Sequence, residues 1–340
     1  MTTTRTGAAA PVTTLSTRFE DTVTLAIIAW LIAGLFIDGY AHANIIDTET
    51  EDFFTPWHAI FYAAFISLAG WVSAVGRRRA HTGPILEWFP AGYRTSVIGI
   101  GIFAVGGVGD AIWHTVFGVE VGIDALLSPT HLVLFTGAVL LLWTPVRAAA
   151  ARQDPRADLA VGAAALTTAL LVFFIEYIFL LSETWIVSVD FDPRTNQNWE
   201  YVALFLGSVV VQTAVLLGPL LLVARRWQLP FGTATGIWTF AAVLEMYAFD
   251  HEPSALPSVL VGGFAFDLTL RFARWRALSV AAFVGPAAIF ATFFVVAARN
   301  ETLRWPPEIW SGAIVIAGFV GLGLVALQES GRHERITATL

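Results

Sequence analysis

Apolar residues run along this chain in long blocks and rarely alternate with polar ones. Ten blocks stand out, at 22–45, 55–75, 95–118, 129–149, 159–182, 201–224, 232–250, 256–272, 278–298 and 307–327. Each has about the length an α-helix needs to cross a ~30 Å hydrocarbon core. Continuous runs predict helices, whereas a membrane β-barrel would show alternation. The pattern therefore predicts an all-α, multi-pass integral membrane helical bundle of about ten transmembrane helices. The shortest block, 256–272, contains Asp267, which is expected to pair with Arg271 one helical turn on.

Polar residues interrupt these blocks in a repeated way. The first outward block carries Asp38 and His42, and the next begins "TPWH", ending on His58. The third carries Asp110 and His114, and the fourth begins "SPTH", ending on His131. Asp52 and Asp124 occupy matching places in the two connections. Between the paired histidines lie 15 residues in one copy and 16 in the other. Both copies run in the same sense, so the repeat is parallel. Later helix pairs echo it more faintly, with Glu176 and Glu245 near the depth of the two aspartates and Val259 where a histidine would fall.

This reading divides the chain into four parts. Residues 1–20 form a disordered cytoplasmic tail, and 21–276 a membrane domain of repeated hairpins, with the strong repeat at 22–75 and 95–149. A C-terminal helical hairpin follows at 277–328, then a cytoplasmic tail at 329–340. The first block lacks a small-residue cleavage site, so it is read as a membrane helix and not as a leader.

Composition agrees. The 340 residues are 56% hydrophobic and 13% charged, with a mean hydropathy of +0.70, beyond the range of a soluble domain this size. All basic residues are Arg, and every one except Arg194, Arg299 and Arg304 falls in the tails or in alternate connections. The positive-inside rule then places both termini in the cytoplasm of a multi-pass cell-membrane protein. Acidic residues, among them Asp47, Glu49, Glu51, Glu120, Asp190 and Asp192, gather on the other side and make that face anionic. Absence of Cys excludes disulfides and thiolate ligands, and absence of Lys excludes Schiff-base chemistry. Nothing points to nucleic acid as a partner. The partners expected are the lipid bilayer, a small apolar substrate with oxygen, and further subunits in a homo- or hetero-oligomer.

Chemistry enters through spacing. Residues four apart share a helix face, so Asp38 aims with His42 and Asp110 with His114. His58 and His131 start the returning helices just after prolines suited to a first turn. Interfacial Asp and His often do no more than hydrogen-bond to helix ends. Repetition of the whole set favours a metal cluster of Asp38, His42, His58, Asp110, His114 and His131. Imidazole with carboxylate suits copper, iron or zinc. Glu176 and Glu245 are candidates for catalytic proton relay, for additional ligands, or for carboxylates supporting the ligands. His251, between Asp250 and Glu252, reads as part of a solvated loop.

The Asp-x-x-x-His pairs with their later histidines resemble the copper-site segment of the C subunit of the membrane-bound methane and ammonia monooxygenases. That resemblance implies copper bound by Asp110, His114 and His131, and a second set in Asp38, His42 and His58. The same segments also look like those of uncharacterised actinobacterial multi-pass membrane proteins. The expectation is a copper- or iron-dependent membrane oxidoreductase, monooxygenase-like. The alternatives are an ion- or proton-coupled transporter or metal-handling protein, and a cytochrome with paired histidine ligands to haem.

Overall fold

The structure is a computed structural model and describes residues 14–45, 53–118, 120, 122–192, 194–195, 197–251, 253, 255–273 and 276–337. Asp47, Glu49, Glu51, Asp52 and Glu252 lie outside the described residues. Every extended element is helical, and the two-residue pairing of Asp192 with Gln197 is the sole β-bridge among the described residues. The α-helices are α1 (Arg18–Asn44), α2 (Pro56–Arg77), α3 (Arg94–Phe117), α4 (Ile123–Leu127), α5 (Pro129–Leu142) and α6 (Thr144–Ala151). They continue with α7 (Asp158–Phe174), α8 (Trp199–Ala224), α9 (Thr233–Phe249), α10 (Ala255–Phe272), α11 (Ala277–Arg299) and α12 (Pro307–Thr337).

Among the described residues, seven spans are long and apolar enough to cross a membrane: α1, α2, α3, α5 with α6, α8, α11, and α12 as far as Ser330. The protein is thus a multi-pass helical membrane protein. The apolar α7 is shorter, and α9 and α10 fall outside the seven. The fifth block of the sequence, 159–182, is not one helix. It ends at Phe174, and three short 3₁₀ turns carry the chain from Glu176 to Ser188. Glu176 consequently sits on a turn. Hydropathy missed this break because the residues past it, such as Phe179 and Leu181, are as apolar as a helix and are buried.

Two glycines set the hairpins. A Cβ on Gly34 would lie 2.9 Å from the Phe61 Cα, so α1 and α2 touch backbone to backbone there. A Cβ on Gly106 would lie 2.9 Å from the Leu134 backbone nitrogen, bringing α3 onto α5 in the same way. Small residues at such crossings are how membrane helices pack closely. The two contacts are equivalent in the repeat: each glycine precedes its aspartate by four residues, and each partner follows its histidine by three. Gly34→Val is expected to lose roughly 1–3 kcal/mol through forced separation of α1 from α2. Gly70, with nothing within 4 Å, is expected to tolerate alanine. Thermal unfolding in detergent compares the two variants directly.

The end of the bundle where α1 begins is tied by ions. Arg79 holds Glu20 with two bonds of 2.9 and 2.8 Å, and Arg152 pairs with the fully buried Asp21. Arg18 bonds Asp154 at 2.8 Å and pairs with Asp158. Asp267 does not serve Arg271. Its carboxylate accepts from the Ala234 and Thr235 amides at 3.1 and 3.0 Å and from the Thr235 hydroxyl at 2.7 Å, closing the start of α9. The orphan amides of a helix N-terminus are the stronger attraction there.

Candidate metal centre

Local sequence places the histidines before any tertiary contact does. Thr55 caps α2, its hydroxyl taking the His58 amide at 3.1 Å, with Pro56 in the first turn. Ser128 caps α5, its hydroxyl taking the His131 amide at 3.3 Å, with Pro129 in the first turn. Capping hydroxyls of this kind fix where a helix starts. His58 and His131 therefore enter at the same helical position and turn toward the preceding helix. His114 closes α3 one turn before Gly118, whose φ of 85° reverses the chain and presents its carbonyl to the ring.

The structure brings all six predicted ligands together as two neighbouring triads. In Asp38–His42–His58 and in Asp110–His114–His131, one donor atom from each residue lies within 4.8 Å of the others. The Asp38 Oδ2 is 3.5 Å from His58 Nε2 and 4.0 Å from His42 Nε2. The Asp110 Oδ1 is 2.9 Å from His131 Nε2 and 3.5 Å from His114 Nε2. The rings of His42, His58, His114 and His131 follow one another at centroid spacings of 5.5, 5.8 and 5.8 Å. Tyr62 on α2 donates to Asp110 on α3 at 2.9 Å and so joins the two repeats.

Ring orientation carries the chemistry. His58 Nδ1 faces the Phe53 carbonyl at 2.7 Å, His114 Nδ1 the Gly118 carbonyl at 3.2 Å, and His131 Nδ1 the Ala125 carbonyl. A carbonyl only accepts, so each of these nitrogens carries the proton. In the neutral rings the Nε2 atoms then keep their lone pairs and turn them toward the aspartates. This is the arrangement that orients and tunes a metal-ligating imidazole. A bare Nε2 facing a carboxylate sets two lone pairs against each other, and either a proton on that nitrogen or a metal ion between the two resolves the conflict. Asp38 Oδ1, His42 Nδ1 and His114 Nε2 are buried without a hydrogen-bond partner among the described residues.

Both triads open onto one cavity of about 430 Å³. Its other walls are mostly apolar, with Leu31, Leu35, Phe61, Phe103, Leu134 and Phe173 among them and Glu120 and Glu176 as carboxylate exceptions. From His42 back to Leu31 it follows α1 for about 16 Å. Sequence reasoning missed Glu120 as a wall residue: its Oε2 lies 3.9 Å from His131 Nδ1, and Trp113 donates to its other oxygen at 2.6 Å. Asp124, the repeat's loop carboxylate, is exposed and makes no part of the triad.

Glu176 and Glu245 do not join the triads. They meet at His251, which is not a solvated loop residue. Its Nε2 lies 3.1 Å from Glu245 Oε1 and 3.9 Å from Glu176 Oε1, and its Nδ1 lies 2.9 Å from Glu183 Oε1. The hydrogen bond to Glu245 raises its pKa to about 8 against the opposing effect of burial, helped by the charges of Glu245, Glu183 and Glu176. A third acidic–imidazole cluster thus stands beside the cavity, to which Glu176 contributes a wall.

No known protein family, curated protein or solved structure matches the chain. What the site can do rests on its own geometry.

Proposed function

We propose that the protein is a metal-dependent oxidoreductase of the cell membrane, monooxygenase-like, with copper in the Asp/His triads and iron as the alternative ion. The observation that carries this reading is the cavity. Side chains able to ligate a metal crowd one end, and the remainder is a largely apolar pocket of molecular size, the shape expected where a small apolar substrate meets a reactive centre. Copper or iron there would supply oxygen activation, for which mixed imidazole and carboxylate ligands with an open position are suited. Overall, one oxygen atom would enter the substrate and the other leave as water, using two protons and two electrons from a donor such as a quinol. The chain's own residues hold the ligands, exclude water with the phenylalanines, and anchor Asp110 through Tyr62.

A groove that an apolar substrate would follow supports the reading. Helices α2 and α3 touch sparingly. Between them runs a lipid-side groove of about 810 Å³ that shares His58, Tyr62 and Phe103 with the cavity. Val108 and Ile112 stand exposed along it. Val108→Trp is expected to slow product formation at unchanged metal content by narrowing this entrance.

Transport is less well supported. Asp267, the buried carboxylate of α10, is taken up by the α9 N-terminus and is not free to continue an ion path. The test is isotopic. Copper-loaded protein in nanodiscs is given a quinol, labelled oxygen and a series of straight-chain hydrocarbons, and products are read by mass spectrometry. Labelled alcohol supports the reading. Stoichiometric metal with no label in any product, or metal uptake into vesicles instead, overturns it.

A further inference from the structure

We propose that His251 is the hub of a proton relay that takes protons from Glu183 and passes them, through Glu245 and Glu176, into the cavity that holds the metal triads. The inference deepens the oxidoreductase reading, whose chemistry consumes protons next to an apolar, water-poor pocket. A route through side chains suits this pocket because the phenylalanine part of its wall offers no hydrogen-bonding groups of its own.

Three features of the cluster argue for conduction. Side-chain exposure falls from 28% at Glu183 through 14% at His251 to none at Glu245, and is 21% at Glu176, which borders the cavity. Both ring nitrogens of His251 meet carboxylates, one on each side, so a proton can arrive at Nδ1 and depart from Nε2. Glu176, 3.9 Å from Nε2, is the one member that lines the cavity, and a modest side-chain rotation closes that gap. The step balances without any redox partner. Glu183 gives its proton to Nδ1 as Nε2 gives one to Glu245 or Glu176, and water restores Glu183.

The chain's local structure is built to hold this hub. Asp250 takes a left-handed conformation (φ 54°) that ends α9 and turns the next residue back over it, and the His251 amide bonds the Met246 carbonyl at 3.2 Å. The 3₁₀ turns after α7 bring Glu176 and Glu183 round to face it. A straight helix would instead set Glu176 and Glu183 two turns, about 10.5 Å, apart along its axis. The carboxylates facing the ring are Glu176 and Glu183 from these turns and Glu245 from α9, with Asp250 adjoining in the chain.

A caged-proton experiment tests the relay without relying on metal or turnover. Metal-free protein in nanodiscs receives a light-triggered proton pulse, and the carboxylic C=O band lost in Glu176→Gln is followed by time-resolved infrared. In the native chain the band is expected to rise quickly. In His251→Ala it is expected to rise at least about tenfold more slowly, and added imidazole is expected to restore the rate in a concentration-dependent way. The rate in the native chain should fall as pH passes about 8. In Glu245→Gln that inflection should move down toward 6.5, the ordinary histidine value. An unchanged rate in His251→Ala, a slowed rate that imidazole leaves untouched, or the lack of a Glu176 band in the native chain would each overturn the relay. Metal analysis of the same preparations reports separately on the triads, so failure of one idea does not imitate failure of the other.

Discussion

Asp110→Ala is expected to empty the second triad, lowering its metal affinity at least about 100-fold, above the range seen for lost supporting residues. Asp110 holds more than any other ligand. It accepts from Tyr62 at 2.9 Å and Thr130 at 3.3 Å, and stands 2.9 Å from His131 Nε2. Its side chain is 2% exposed, so nothing from outside replaces it. Truncation leaves the part-buried Tyr62 phenol and Thr130 hydroxyl without their acceptor, at about 1–3 kcal/mol for each unsatisfied group. Asp110→Asn separates the two effects. The amide keeps the shape and part of the hydrogen bonding but removes the charge, so metal should be lost with a smaller loss of stability. Titration with a competing chelator measures the first effect, and thermal unfolding of metal-free protein the second.

The second large effect is expected far from the triads. Arg152→Ala should destabilise the fold by roughly 3–5 kcal/mol, because it leaves Asp21 buried without its cation. Asp21 is fully buried and is otherwise served by the Tyr93 hydroxyl at 2.8 Å. That hydroxyl is 2.8 Å from Thr24, which in turn takes the Trp71 indole proton at 3.0 Å. The network therefore fastens α1 to α2, to α3 and to the chain after α6. Arg152→Ala combined with Asp21→Asn should recover much of the loss, since the uncompensated charge is then gone. Denaturation midpoints of the single and double variants decide it, and equal losses in both would contradict the account.

The site was largely legible in the sequence because its local rules repeat. Proline with a preceding hydroxyl residue marks where α2 and α5 start, and the fourfold spacing of Asp and His marks one helix face. The glycines four residues before each aspartate were equally visible, but their meaning was not. Only the backbone contacts with Phe61 and Leu134 show that Gly34 and Gly106 extend the motif to Gly-x-x-x-Asp-x-x-x-His.

What the sequence hid follows from the physics of long-range contact. His251 looked like a loop residue because two of its three carboxylate partners, Glu176 and Glu183, lie 75 and 68 positions away, brought to it by turns that begin inside a block hydropathy read as helix. Asp267 looked like half of a local pair with Arg271, yet helix-terminus amides outcompeted it. The arginine count was read as orientation alone. Arg18, Arg79 and Arg152 also fill ion pairs inside the fold, which a tally along the chain does not register.

The central claim is that two hairpin repeats hold metal between them. It is tested most directly by elemental analysis, with paramagnetic resonance, of protein purified after copper loading. The account predicts stoichiometric copper with nitrogen couplings from imidazole, and its loss when Asp38 and Asp110 are both changed to alanine in a chain that still folds. Native protein without stoichiometric metal, or unchanged copper content in the doubly substituted chain, would contradict it.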